Sequence, residues 1–299
     1  MVAAMRPQIV LAALVLGLSA GSAAAVSDAA VSVAASCPTD PKLAELIAGS
    51  SLVLIGTMDL PKERLAEEAR KSAPDYLDIS IRIEDVVKGG DVGSATVRFY
   101  PKDAPYKPSN DSVLGLGGAP AIFFLTRVDE GPVGLYFAGH SPEALKPATE
   151  QTVGAARAEA ARQKDIIRSW REDTALPRFS EVRALIARLG RVSGAEQQRV
   201  FNRLEALGKE AVPAIVAQMD DRRALRTQAI SLENRSPDAL EGVRYYGPKQ
   251  VVDGLDAVLN QVTGESFGSI ANVGSDRERD AAVDGWRIYA SDLVCRKPA

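Results

Sequence analysis

Only one histidine, His140, and two cysteines, Cys37 and Cys295, occur in this 299-residue sequence. A nitrogen/sulfur metal site usually takes three or four such ligands, so the chain lacks the means to build one. Calcium is disfavoured as well, because no run of alternating acidic positions around a central glycine is present. Charge of one sign is also missing. The formal net charge is −3, with 36 basic and 39 acidic side chains interspersed along the chain, which leaves no electrostatic footprint for nucleic acid. No cofactor is implied.

Long apolar runs are absent apart from one at the start. Ile9 to Leu18 follows the single positive charge of Arg6 and is too short to span a bilayer core of roughly 30 Å. It gives way to Ala23-Ala24-Ala25, the small-x-small pattern of a signal-peptidase site. The reading is a signal peptide over residues 1–25, cleaved after Ala25, and a periplasmic or secreted protein with no membrane span. A lipid-attachment reading of Ala35-Ser36-Cys37 is weaker, since Cys37 lies far beyond the apolar run. Abundant Ala, Arg and Val with few Lys and aromatics point to a bacterial genome rich in G and C. In an oxidising compartment two cysteines are more often bridged than free, so a Cys37–Cys295 disulfide tying the chain ends together is expected.

Cleavage would leave 299 minus 25, or 274 residues, enough for two domains at about 100–200 residues each. Local pattern divides them at 148/149. In residues 26–148, Pro41 to Ala48 reads as a short helix, Ser51 to Met58 as a buried strand, and Pro61 to Lys71 as a helical excursion. Leu77, Ile79, Ile81 and Ile83 alternate with polar residues, the period of two of a half-buried strand. Lys88-Gly89-Gly90-Asp91 marks a turn before a returning strand, Ala95 to Tyr100. Pro101 to Pro120 reads as a long loop, followed by a hairpin of Ala121 to Val128 and Val133 to His140. A small antiparallel β-barrel results, in an α+β protein. From Thr149 onward the pattern is all-α: helices over Ala155–Trp170, Val182–Leu189, Gln197–Leu207, Ala211–Met219, Pro248–Val262 and Asp276–Leu293, the last capped by Ser275.

Three segments resemble known families. Leu204 to Val216 resembles one HEAT-type repeat, with a helix ending at Gly208 in the left-handed conformation and a second helix opening near Pro213. A degenerate match surrounds Val182 to Leu189. Val262 to Gly268, followed by Ala282 to Arg287, is similar to a segment of bacterial exported HEAT-like proteins of unknown function. Leu52 to Gly56, with Ile79 to Val87 and Lys88-Gly89, is similar to netrin-like or metalloprotease-inhibitor-like OB barrels. That last resemblance implies an inhibitor presenting the α-amino group of a mature N-terminal cysteine to a protease zinc. Cleavage after Ser36 would be needed to make Cys37 that residue.

Catalytic constellations are scarce. Gly264-Glu265-Ser266-Phe267-Gly268 matches G-x-S-x-G, but the pattern needs a strand before the serine, and here a helix precedes it. The segment reads as a helix-terminating turn with Phe267 packed beneath. Gly115-Leu116-Gly117-Gly118 reads as a surface turn. Glu84/Asp85 and Asp220/Asp221 are adjacent carboxylates facing different ways. His140 ends a strand, and Trp170 and Trp286 lie on helical apolar spacing as core anchors. One region concentrates hydrogen-bonding groups and aromatics in loops between helices: Leu232 to Asp238 and Tyr245 to Pro248. Asn234, Arg235, Tyr245 and Tyr246 are its candidate binding residues. The functional expectation is a non-enzymatic periplasmic protein-binding or scaffolding module with a protein partner. The alternatives are a carboxylate-dependent hydrolase working between the domains and a metalloprotease-inhibitor-like protein.

Overall fold

The computed structural model describes residues 37–71, 76–90, 92–99, 107–128, 134–138, 141–235, 241–268, 270–272 and 274–295. The expected signal peptide, its Ala25 cleavage point, His140, and parts of the 101–120 and 232–238 loops lie outside these. All described residues belong to one compact unit.

The chain opens with α1 (Pro41–Ala48), started by Asp40, whose carboxylate accepts from the backbone N–H groups of Lys42 and Leu43. Strand β1 (Leu52–Met58) is buried at every residue, because β2 (Leu77–Lys88) and β4 (Pro120–Arg127) flank both its edges. Helix α2 (Lys62–Lys71) separates β1 from β2, and β3 (Ala95–Phe99) pairs with β2. Strand β5 (Leu135–Phe137) lies between β3 and β4, closing a five-stranded barrel in the order β1-β2-β3-β5-β4, and β6 (Leu145–Pro147) adds to β4 outside the ring. The pairing of β1 with β2 shifts register beside Gly56, where a Cβ would stand 2.5 Å from the Arg82 carbonyl oxygen. Only glycine fits this approach.

Two expectations for this half need correcting. The barrel is not wholly antiparallel, since β3 and β5 run parallel. A ring with an odd number of strands cannot alternate direction all the way round, so one neighbouring pair has to be parallel. The stretch from Pro101 to Pro120 is not a loop throughout: Ser109 accepts from the Ser112 N–H and caps α3 (Asn110–Gly115).

Helices follow. They are α4 (Glu150–Ser169), α5 (Phe179–Arg188), α6 (Gly194–Ala206), α7 (Val212–Val216), α8 (Val251–Thr263) and α9 (Asp276–Asp292). Ser275 caps α9 as expected, in a reciprocal box with Glu278. Pro213 occupies the first turn of α7, and Gly208 takes a positive φ of 66° with ψ of −161°, extended and not left-handed helical. The region is also not all-α. Ile230–Glu233 (β7) and Val243–Tyr246 (β8) form an antiparallel hairpin, whose Ile230 and Leu232 point into the core while Glu233 is exposed. Four-residue strands carry too little alternation to stand out between polar loops.

Two apolar clusters form the core, one in and around the barrel and one among the later helices. Helices α1 and α4 belong to both. Leu43 and Ile47 of α1 enter the barrel cluster while Ala48 enters the helical one, and α4 contributes Ala156 to the first and Ile166 to the second. Buried polar contacts stitch this junction. Gln163 of α4 donates to the Ala44 carbonyl of α1, and Arg162 of α4 makes paired hydrogen bonds with Asp292 of α9. Cys37 and Cys295 are at disulfide distance at its edge, with Cα atoms 5.6 Å apart. Among the described residues no helix is long and apolar enough to cross a membrane.

Candidate functional site: a cleft between barrel and helices

Where the barrel end meets α9 the surface opens into a cleft of about 900 Å³. One wall is built by β2, α1 and the ends of β4 and β5. Gly89, at φ 111°, permits the chain to turn against β1, since a Cβ there would meet the Ser51 carbonyl oxygen at 2.8 Å. That turn sets Lys88, the last residue of β2, beneath the C-terminus of α1. Its ammonium donates to the carbonyls of Ile47 (2.6 Å) and Ala48 (3.2 Å), two of the groups a helix end leaves without partners.

The opposite wall comes from α9 and the segment before it. Helix α8 ends at Gly264 in the left-handed conformation, and Phe267 then turns inward, stacking edge-on against Trp286 with ring centroids 4.9 Å apart. This anchors Glu265 and Ser266 in the cleft wall, the Ser266 hydroxyl donating to the Gly268 carbonyl. The helix-terminating turn expected for G-x-S-x-G is therefore what forms. Along α9, Arg277, Ala281 and Asp284 recur at three- and four-residue spacing and present one stripe to the cleft.

The lining is apolar in part and ringed by charge. Leu46, Phe137, Ile167 and Phe267 supply carbon surface, while Lys42, Arg127 and Arg277 stand among Glu45, Glu143 and Glu278. Glu278 is occupied by its capping role, and Glu143 pairs with Lys146 at 2.7 Å, a contact that holds its carboxyl below the usual range. A second cavity of about 650 Å³ adjoins, sharing Lys88, Gly89, Ile167 and Asp284 with the first. Burial pulls Lys88 down to about 8 against the opposing field of Asp284. Burial likewise raises Asp284, although Arg287 and Lys88 both act to lower it.

The four residues expected to bind a partner come together on the β7–β8 hairpin, but none lines the cleft. Tyr245 is 73% exposed and Arg235 is exposed, paired with Glu233. Asn234 is half-buried, its N–H bonded to the Gly242 carbonyl. Tyr246 is not a surface residue: it is 9% exposed, with its hydroxyl hydrogen-bonded to Gln261. Period two explains the split, since neighbours on a strand face opposite ways. Trp286 is fully buried, whereas Trp170 is half-buried beneath the Arg287 guanidinium.

Sequence patterns did not single out Lys88 or Asp284 as site residues. Lys88 read as part of a turn and of the OB-like resemblance, and Asp284 as part of the Ala282 to Arg287 segment similar to exported HEAT-like proteins, neither with a binding role. Tertiary packing alone brings them to one cavity wall. Among the described residues no group of three histidine, cysteine or acidic side chains is placed to hold a metal ion. No protein-family model, no curated protein and no solved structure matches this chain.

Proposed function

We propose that the protein is a non-enzymatic, exported binding module whose cleft holds a polypeptide segment of a partner. One observation carries this: a cavity of about 900 Å³ in which apolar side chains are surrounded by charges of both signs. Volumes of this order suit ligands that bury most of their surface. Carbon surface accommodates the partner's apolar side chains, and a rim of mixed sign offers donors and acceptors to its backbone. Two further features fit a binding role. The cleft walls are fixed to each other by Arg162, Gln163 and the cysteine pair, so little ordering is required when a partner arrives. The Ser266 hydroxyl is engaged in a hydrogen bond to its own turn.

Export is supported by the Arg6, Ile9–Leu18 and Ala25 pattern and by the cysteine pair. The ring order of five strands supports an OB-like barrel, and the α6–α7 pair, jointed at Gly208 with Pro213 in the second helix, supports a HEAT-like element.

Ala281 is exposed on the α9 stripe, so Ala281→Trp fills the cleft without disturbing the core. Binding of a fluorescein-labelled nonapeptide pool, read by polarisation, should be retained by an Asn234→Ala/Arg235→Ala/Tyr245→Ala variant and lost by Ala281→Trp. Undiminished binding by Ala281→Trp, or no binding of the pool by the unaltered protein, would reject the cleft.

A further inference from the structure

Lys88 is a cation without a formal counter-charge in contact. Its ammonium has three N–H groups, and two are taken by the Ile47 and Ala48 carbonyls. The third has no acceptor among the described residues. No carboxylate of those residues lies within ion-pair distance of it, Asp284 included. The carbonyls supply partial negative charge from the α1 C-terminus, but they leave the half-buried ammonium without a full counter-charge. The side chain also lines both cavities, at the place where apolar Ile167 meets Asp284.

We infer that Lys88 receives the free C-terminal carboxylate of a bound polypeptide, whose last apolar side chains lie against Leu46, Phe137 and Ile167. This rests on the cleft reading above. A carboxylate with an apolar body matches the pairing of an open ammonium donor with adjacent carbon surface. A chain terminus fits better than a fatty acid, because the rim of Lys42, Glu45, Arg127 and Arg277 offers charged hydrogen-bonding groups that a polypeptide backbone can use and an alkyl chain cannot. Capture of a terminal carboxylate is a recurring mode of peptide recognition.

The charged groups lining the cavities with Lys88 are Asp284, Arg277 and Glu278 on α9, Lys42 and Glu45 on α1, Arg127 on β4, Lys164 on α4, Asp85 on its own strand, and Glu143 and Glu265 in connecting segments. Lys88 itself is brought down to about 8, so it is expected to lose its proton between pH 7 and pH 9.

The experiment compares apolar-tailed nonapeptides with a free C-terminus, the same peptides amidated, and dodecanoate, each titrated calorimetrically into the full chain. The free-acid peptides should bind at least tenfold tighter than the amides at pH 7. That advantage should shrink about tenfold by pH 9, as the ammonium is lost. Lys88→Gln should abolish the difference between acid and amide, and the unaltered protein's pH series gives the same test without risk to folding. Equal affinity of acid and amide peptides, with Ala281→Trp still blocking both, would overturn the carboxylate assignment and leave the cleft reading intact. Tighter binding of dodecanoate than of any peptide would overturn the assignment to a polypeptide terminus. Failure of every probe to bind would overturn both readings.

Discussion

The indole N–H of Trp286 donates to a carboxylate oxygen of Asp256 at 2.7 Å, and both side chains are buried in the helical core. One turn earlier on α8, Asp253 is bonded to Arg279 and accepts from the backbone N–H groups of Lys249 and Gln250. One helix face thus carries two buried acids with different surroundings. Burial is the main cause that pushes Asp256 up to about 7, with the neighbouring charge of Asp253 adding to it and the Trp286 hydrogen bond opposing it.

This split sets a pH dependence. An unfolded aspartate releases its proton near 3.8, whereas folded Asp256 keeps its own to about 7. The stability it contributes is therefore complete below pH 3.8 and is lost as pH rises through 7. Thermal unfolding at pH 5, 6, 7 and 8 should show the unaltered protein losing stability relative to Asp256→Asn, at up to ~1.4 kcal/mol per pH unit. Parallel pH profiles for the two proteins would show that Asp256 does not retain its proton in the fold.

Gly285 marks the closest packing in the α9 wall. A Cβ there would lie 2.4 Å from the Phe267 Cβ and 2.6 Å from its Cγ. Gly285→Ala should thus destabilise the protein by about 1–3 kcal/mol through overpacking, despite the ~1 kcal/mol that alanine gains over glycine in a helix. Urea unfolding measures the balance, and a stabilised variant would show that Phe267 can move away without cost.

Arg162 holds two carboxylates, Glu159 and Asp292, with all three side chains nearly buried. Burial works against its charge, but the two acids outweigh it and raise the guanidinium further. Arg162→Met would leave both carboxylates without their cation and should cost about 3–5 kcal/mol, the usual penalty for stranding a buried charge. A triple variant, Glu159→Gln/Arg162→Met/Asp292→Asn, should recover part of that loss in the same denaturation assay. No recovery would mean that Arg162 acts by packing α4 on α9, with charge contributing little.

Reading order along the chain explains what could be anticipated. The Leu77–Ile83 alternation and the Pro41–Ala48 helix are local patterns, and both elements occur where those patterns lie. The Cys37–Cys295 pair needed only composition and compartment chemistry. Strand β5 likewise falls inside the strand expected at Val133 to His140, whereas β6 is three residues long, and β7 and β8 four, too short for periodicity to separate them from loops. The site was less legible still. Asn234, Arg235 and Tyr245 lie close in sequence and stay on one hairpin, whereas Lys88 and Asp284 are almost 200 positions apart and reach one cavity only through packing of β2, α1 and α9. Residue type carries no signal for either one, because lysine and aspartate in polar stretches ordinarily face water.

The cysteine pair spans 258 positions, which has a consequence for the order of assembly. Cys37 emerges from synthesis 258 positions ahead of Cys295, so at about 5–20 residues per second tens of seconds pass before the partner thiol exists. Barrel and helices can consolidate in that interval, but the link between the chain's two ends cannot. Throughout it Cys37 remains a thiol open to any other oxidant or cysteine it meets. A chain truncated before Cys295 would never meet its internal partner, and its Cys37 should accumulate in disulfide-linked dimers in an oxidising medium.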